Sequence, residues 1–304
     1  MAADKVLVCD SIHDDALAWL AEQTDVELVN RPGISAEELA DRISDVDALI
    51  VRSRTKITTE LIERALHLRV VGRAGSGLDN IDLDAAREAE VAVLNTPGAN
   101  ANAVAELTFG LTIAMARHLP SVWGTRTKPS DHGRELAGRT LGVIGCGQIG
   151  RRVLQLGRAF GMHPIGHDVD NDVIQAEESL DLVPMETLLT SSDVVTLHVP
   201  LTAETENLFN EPLIERLKPD AGLVNTARGG LVDETAVRCA LDADGLAGYA
   251  ADFCDDEQLR AHPRAVITPH IGAQTVEAQR RAGWEIAQRV VDALRGDTAS
   301  AESS

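Results

Sequence analysis

Three side chains of different chemistry follow short apolar runs in the C-terminal half of the chain. Arg228 comes after "LVNTA", Glu257 after "AADFCDD", and His270 closes "AVITPH". A guanidinium presents a planar fork of donors that matches a carboxylate. An imidazole titrates near neutrality and can take a proton from a hydroxyl or return it. A carboxylate beside that ring fixes its tautomer and favours the imidazolium. Such a set suits proton transfer on a substrate that carries a carboxylate. Each residue also has a plainer reading: Arg228 as a surface cation, His270 as a polar strand end, Glu257 as one acid of the run "DDE".

A second pattern lies upstream. "GVIGCGQIG" places Gly145, Gly147 and Gly150 as G-x-G-x-x-G after an apolar run, and Gln148 and Ile149 open the helical stretch that follows. Gly145 permits a tight turn, Gly147 lets backbone approach a pyrophosphate, and Gly150 lets helix and strand pack closely. The helix N-terminus then offers free N–H groups and a partial positive charge to phosphates. A bare glycine pattern is a weak signal, but here strand, helix and next strand are all in register with it. That next strand ends in Asp168, 18 residues past Gly150. An acid there accepts ribose hydroxyls and repels a 2′-phosphate, which favours NAD over NADP. The alternative for Asp168 is a solvated residue at a strand end.

Elements must gather these residues at one edge of a sheet. Strand candidates of a first round are 6–10, 26–30, 47–51, 68–72 and 91–95, with helical stretches such as "SAEELADRIS" and "DLDAAREAE" between them. Ser35, with Glu38 three residues on, marks a helix start. A long helix is expected over 102–117, followed by a Pro-, Gly- and charge-rich connection. Alternation restarts with strands at 140–145, 163–168, 193–200, 222–228, 248–253 and 265–270, and the chain closes on a helix over 275–294. Strand–helix alternation implies parallel sheets covered on both faces. The last helix completes no unit of the second round, so it is expected to pack back on the first.

Composition narrows the function. A chain of 304 residues with 44% hydrophobic residues fits two globular domains. The net charge of −20 argues against nucleic-acid or anionic-membrane partners, which need a positive field. Only 4 of the 28 basic residues are Lys. A surface so acidic suits concentrated salt, where screening weakens self-repulsion; an acidic enzyme from a GC-rich genome is the other reading. No apolar run approaches the roughly 18 residues of a membrane helix. The chain opens almost at once on the strand-like "KVLVCD", so no signal peptide is expected. Cys9, Cys146, Cys239 and Cys254 lie far apart without metal-ligand spacing, as expected of free thiols in a reducing cytoplasm. No metal is expected.

"GCGQIG", "NTARGGLVDE", "GYAADFCDDE" and "ITPHIGAQT" resemble the successive motifs of the D-isomer-specific 2-hydroxyacid dehydrogenases. "VVGRAGSGLDNIDL", "VLNTPGANANAVAELTFGL" and "VRSRTKIT" are similar to the D-3-phosphoglycerate dehydrogenases among them, so the resemblance covers nearly the whole chain. It implies two Rossmann-like, doubly wound α/β domains, with the NAD domain inserted into a discontinuous substrate domain. The division expected is 1–98 with 275–304 for the substrate-binding, flavodoxin-like domain and 99–274 for the NAD-binding domain. Arg228 then grips the substrate carboxylate and carbonyl, His270 is the acid/base, and Glu257 orients and charges it. The implied reaction is NAD-dependent oxidation of D-3-phosphoglycerate to 3-phosphohydroxypyruvate for serine synthesis. A glyoxylate/hydroxypyruvate or other D-2-hydroxyacid dehydrogenase is the alternative, and a non-catalytic NAD-sensing protein a more distant one.

The resemblance also implies cofactor contacts at His198, Pro200, Thr205, Thr226, Ala227, Asp252 and Gly272, with Asp252 near the nicotinamide. Ser76 and Gly77 match the loop that meets the substrate carboxylate; Arg52, Ser53 and Asn100 match positions near a distal phosphate. Exposed loop cations are the plainer reading of Arg52 and Arg54. Three departures stand out. Gln258 replaces a usual Pro and the 257–270 stretch is short, which leaves Asp255 or Asp256 as other partners for His270. The 118–136 connection is short too; in the family it supports a homodimer and can send a basic residue to the neighbouring site, for which Arg126 or Lys128 are candidates. No regulatory domain is expected after residue 304.

Overall fold

The computed structural model describes residues 3–125, 132–170 and 181–297. Arg126 and Lys128 lie outside them. The chain divides into two compact units, residues 1–100 with 273–304, and residues 101–272. Helices of the first unit are α1 (Asp14–Glu22), α2 (Ala36–Arg42), α3 (Thr59–Glu63) and α4 (Leu83–Glu88). The second holds α5 (Ala101–Ala116), α6 (Leu119–Val122), α7 (Gln148–Ala159), α8 (Met185–Ser191), α9 (Glu211–Ile214), α10 (Glu234–Asp242) and α11 (Glu257–Arg260). The closing helix α12 (Val276–Leu294) belongs to the first unit. Among the described residues, no helix is long and apolar enough to cross a membrane.

In the first unit β1 (Asp4–Val8), β2 (Val26–Asn30), β3 (Ala48–Val51), β4 (Val70–Arg73) and β5 (Ala92–Leu94) form a sheet ordered β2-β1-β3-β4-β5. Every pairing is parallel. The two-residue period of a strand sends Val6, Val8 and Ile50 to one apolar core and Leu7, Leu49 and Val51 to another. Both faces are therefore buried, as an all-parallel sheet requires. Ile286, Val290 and Val291 of α12 join the first of these cores. A Cβ at Gly72 would lie 2.4 Å from Val290 Cγ2, so a glycine on β4 is what lets α12 press against the sheet. Ser35 caps α2 as its spacing predicts, accepting the Glu38 N–H at 3.1 Å.

The second unit is built on β6 (Thr140–Ile144), β7 (His163–His167), β8 (Val194–Leu197), β9 (Gly222–Asn225), β10 (Gly248–Ala251) and β11 (Ala265–Ile267). They form a parallel sheet ordered β11-β10-β9-β8-β6-β7, and a parallel bridge from Gly166 to Leu182 extends it past β7. The chain runs outward from β6 to β7 and then returns to the far side of β6 for β8. That reversal opens a crevice at the carboxyl ends of the strands, where such sheets bind ligands.

The strands stop earlier than the apolar runs suggest. β8 ends at Leu197 rather than at Pro200, which lacks the N–H that would continue a ladder. β9 ends at Asn225 because its side chain folds the following loop, accepting the Ala227 N–H at 3.0 Å and donating to the Arg228 carbonyl at 2.7 Å. β11 ends at Ile267, two residues before Pro269. His198, Arg228 and His270 thus stand in loops beyond the sheet rather than on its last residues.

Candidate active site

The glycine turn follows β6. Gly145 has φ +88°, and a Cβ there would meet the His198 backbone at 2.7 Å, so both conformation and space demand glycine. A Cβ at Gly150 would come to 1.9 Å from the Gly145 carbonyl oxygen, which is the close helix–strand approach read from the sequence. Gly147 differs, since its Cβ direction meets nothing within 4 Å. It caps α7 with no side-chain hydrogen bond, and the first-turn amides of Gln148 and Ile149 have no intrahelical acceptors. The open face of the turn is therefore lined by unclaimed N–H groups.

Asp168 lies beside this turn. Its Oδ2 accepts the Cys146 N–H at 2.6 Å and its Oδ1 the Asp170 N–H at 2.9 Å. Each carboxylate oxygen keeps a lone pair for a further donor. Burial, reinforced by the Asp168 charge, pushes the Cys146 thiol up to about 12, so it is an inert part of the turn.

Loops after β8 and β9 face the same crevice edge. His198 bonds Thr196 Oγ1 through Nε2 at 3.0 Å, while its Nδ1 is shut off from water and has no partner among the described residues. Burial pushes this imidazole down to about 3, so it is neutral at physiological pH. Thr205 Oγ1 donates to the Pro200 carbonyl at 2.6 Å and closes an exposed turn. Thr226 is tied by its hydroxyl to Thr108 of α5 at 2.8 Å. The Arg228 guanidinium donates through Nη1 to the Ala227 carbonyl at 2.8 Å.

Asp252, just past β10, organises the next loop. It is only 4% exposed. Its Oδ1 accepts the Thr268 hydroxyl at 2.6 Å and the Ile271 N–H at 2.8 Å, and its Oδ2 the Gly272 N–H at 2.6 Å. Its carbonyl accepts the His270 N–H at 2.7 Å. The turn so held puts His270 at φ +57°, a left-handed conformation uncommon for residues other than glycine. The imidazole is exposed and meets the Phe253 ring edge-on, with centroids 6.3 Å apart.

Glu257 is the exposed first residue of α11, and no hydrogen bond or ion pair joins it to His270. Asp256 is committed elsewhere: it caps α11 through the Gln258 and Leu259 amides and pairs with Arg238 at 3.2 Å. The Leu259 amide, then Arg238 and Gln258, hold its carboxyl below the usual carboxylate range. Asp255 is exposed, and its N–H donates to Glu234.

In the first unit, the residues matched to substrate contacts again follow strand ends. Past β3, the 52–55 loop closes around Asp10, itself 4% exposed, which accepts the Arg52 N–H at 2.6 Å, the Thr55 N–H at 3.2 Å and hydroxyl at 2.9 Å, and Arg54 Nε at 3.2 Å. Asn80 Nδ2 donates to the Arg52 and Thr55 carbonyls at 2.7 and 2.6 Å. Among the described residues, Arg52 Nη1 reaches only the Ser11 carbonyl at 3.3 Å, and Ser53 is exposed. Past β4, Ser76 Oγ bonds Asn100 Oδ1 at 3.0 Å, and Asn95 Nδ2 holds the Ser76 carbonyl at 2.7 Å beside Gly77. Arg54 is thus a structural cation, while Arg52 keeps most of its donors available.

Sequence reasoning singled out neither Asp10, Asn80 nor Phe253. Asp10 had a signal, being a polar residue at a strand end; Asn80, inside a loop, had none, nor had Phe253, because an aromatic inside "AADFCDD" reads as strand. The open face at Gly147, the waiting carboxylate of Asp168 and the unpartnered, buried His198 Nδ1 fit a bound dinucleotide.

The NAD-binding domain model of the D-isomer specific 2-hydroxyacid dehydrogenases matches residues 109–272. A D-3-phosphoglycerate dehydrogenase of Methanocaldococcus jannaschii is 41% identical over 97% of this chain, which spans 58% of that relative's length. A hydroxypyruvate reductase of Thermotoga maritima is 39% identical over 97% of this chain and 99% of its own. The NAD⁺-bound crystal structure of an Entamoeba histolytica 3-phosphoglycerate dehydrogenase matches with a TM-score of 0.85 and 30% identity, over 100% of this chain and 99% of that one. The chain therefore belongs to the D-isomer specific 2-hydroxyacid dehydrogenases, and its cofactor is NAD.

Proposed function

We propose that this chain oxidises D-3-phosphoglycerate to 3-phosphohydroxypyruvate, the entry step of serine synthesis, as a cytoplasmic homodimer suited to high salt. The observation that carries the phosphorylated substrate is the caged 52–55 loop. A buried carboxylate and an amide fix its backbone, so Arg52 is presented with donors to spare. A guanidinium carried on a fixed loop binds a phosphate at less entropic cost than one on a mobile loop. The similarity to the Methanocaldococcus jannaschii phosphoglycerate dehydrogenase supports the same substrate.

In this reading the Arg228 fork holds the substrate carboxylate and polarises the C2 oxygen. Ser76 and Gly77 also meet the substrate carboxylate, while Arg52, Ser53 and Asn100 take the distal phosphate. His270 accepts the proton of the C2 hydroxyl and returns it in the reverse direction. Glu257 favours the protonated ring, with Asp255 the other exposed acid of the run. Gly147, Gln148 and Ile149 bind the pyrophosphate through backbone amides, Asp168 takes the adenosine ribose, and the residues from His198 to Gly272 named above line the remainder. When bound, NAD supplies the acceptor for the hydride that leaves C2.

The second reading is reduction of unphosphorylated hydroxypyruvate or glyoxylate, favoured by the Thermotoga maritima reductase that matches over nearly its whole length. Comparing kcat/KM for D-3-phosphoglycerate, hydroxypyruvate and glyoxylate, with NAD and NADP coenzymes and across KCl concentration, separates the two. No preference for the phosphorylated acid would overturn the first. NAD binding without turnover of any 2-hydroxy acid would overturn both in favour of a sensor. His270→Ala should lower kcat by about 10²–10⁴-fold with NAD affinity nearly unchanged.

A further inference from the structure

Phe253 is 42% exposed, and a lone exposed aromatic means little. Its two contacts give it meaning. A Cβ at Gly229 would lie 2.6 Å from the Phe253 Cδ1 and 3.1 Å from Cε1, so the ring rests on the bare backbone next to Arg228. Gly229 has no positive φ. Its missing side chain is therefore required by the ring and not by the turn. The other contact is the edge-on approach to His270 at 6.3 Å and 71°, within the range of favourable aromatic pairs.

What holds His270 makes the second contact matter. The backbone is fixed by its N–H to the Asp252 carbonyl and by the Asp252 carboxylate on the following amides. Neither ring nitrogen has a hydrogen-bond partner among the described residues. The orientation of the imidazole about its own bonds is left to packing. Phe253 is a rigid plane with two torsions, adjacent to Asp252 and seated on the loop that carries Arg228.

We propose that Phe253 is a positioning residue that rests on Gly229 and orients the His270 imidazole relative to the Arg228 loop. The proposal rests on the reading of His270 as proton acceptor and Arg228 as carboxylate grip. A misplacement of about 1 Å at a reacting group costs on the order of 10²-fold in rate. Phe253→Ala should lower kcat by about 10–100-fold on that basis, with NAD affinity unchanged and KM moving less than kcat. Phe253→Tyr, which keeps the plane, should restore kcat, and Phe253→Leu, which keeps the bulk, should not.

The sharper test is a double-mutant cycle. Gly229→Ala alone pushes a methyl into the ring and should lower kcat about as much as Phe253→Ala. In the Phe253→Ala background the same methyl has room, so Gly229→Ala should then cost less than about twofold. A Phe253→Ala enzyme with wild-type kcat would overturn the proposal, as would an equal penalty for Gly229→Ala in both backgrounds. His270→Ala separates the levels of failure. If that variant keeps full kcat, the reading of the site falls. If it is inactive while Phe253→Ala is fully active, only the positioning role falls.

Discussion

Two buried carboxylates, one in each unit, hold a loop beyond the carboxyl end of a strand, and they do it with different donors. Asp10 collects two amides, a hydroxyl and the Arg54 guanidinium. Asp252 collects two amides and a hydroxyl, all neutral. The first loop presents a cation, Arg52, and the second an imidazole, His270. A loop that must offer positive charge can spend a second arginine on its own anchor. The loop that presents an imidazole is anchored through neutral donors alone, so its anchor adds no cation beside the ring. The comparison teaches that loop rigidity and loop charge are set separately here.

Removing the neutral-donor anchor should have the largest effect. Asp252→Ala strands three donors, each worth about 1–3 kcal/mol when left unsatisfied. Urea unfolding should show a loss of at least about 3 kcal/mol, and kcat should fall about 10²-fold as the turn loosens. A folded Asp252→Ala enzyme with full kcat would show that the turn holds itself. Asp10→Asn comes next, because the amide group faces N–H donors with a donor of its own. The expected cost is about 2–4 kcal/mol, with kcat/KM reduced for D-3-phosphoglycerate but not for hydroxypyruvate. An equal loss for both substrates would break the assignment of the two loops to different parts of the substrate.

The pH dependence of that second effect has a definite sign. Burial works to raise the Asp10 carboxyl, but the Arg52 amide, the Thr55 hydroxyl and amide, and Arg54 together hold it below the usual range. A depressed pKa contributes stability that is present above the unfolded value, about 3.9, and is lost as pH falls through the folded value. The stability gap between wild type and Asp10→Asn should therefore narrow below about pH 4 in urea titrations. A constant gap down to pH 2.5 would count against the carboxylate as the anchor. Smallest of all, Arg54→Lys should cost less than about 1 kcal/mol, since the pair is open to water on the arginine side.

The sheets and the glycine turn were legible because each rests on a local rule. β-branched runs at regular intervals, Ser35 ahead of Glu38, and glycines spaced for a strand–turn–helix all leave marks within a few residues. Loop anchors leave no such mark. Asp10 meets Arg52 and Thr55 across 42 and 45 positions, and Asp252 meets Thr268 across 16. Asp252 carried a site role by resemblance, yet its hold on the His270 turn shows only in three dimensions. The run "DDE" illustrates the same limit. Its three acids look equivalent in sequence, but helix capping and Arg238 commit Asp256 and leave the outer two exposed. Phe253 is the extreme case, since its significance lies wholly in a glycine 24 residues earlier and a histidine 17 residues later.

The left-handed backbone at His270 has a consequence for anyone who would engineer this protein. Most side chains pay roughly 1–2 kcal/mol to sit in that region, and histidine, though commoner there than most, is less at ease than Gly or Asn. A library selected only for heat resistance should therefore enrich Gly or Asn at position 270 and report a gain of up to about 1 kcal/mol while discarding the imidazole proposed as the proton acceptor. Thermostabilised designs should therefore hold position 270 fixed.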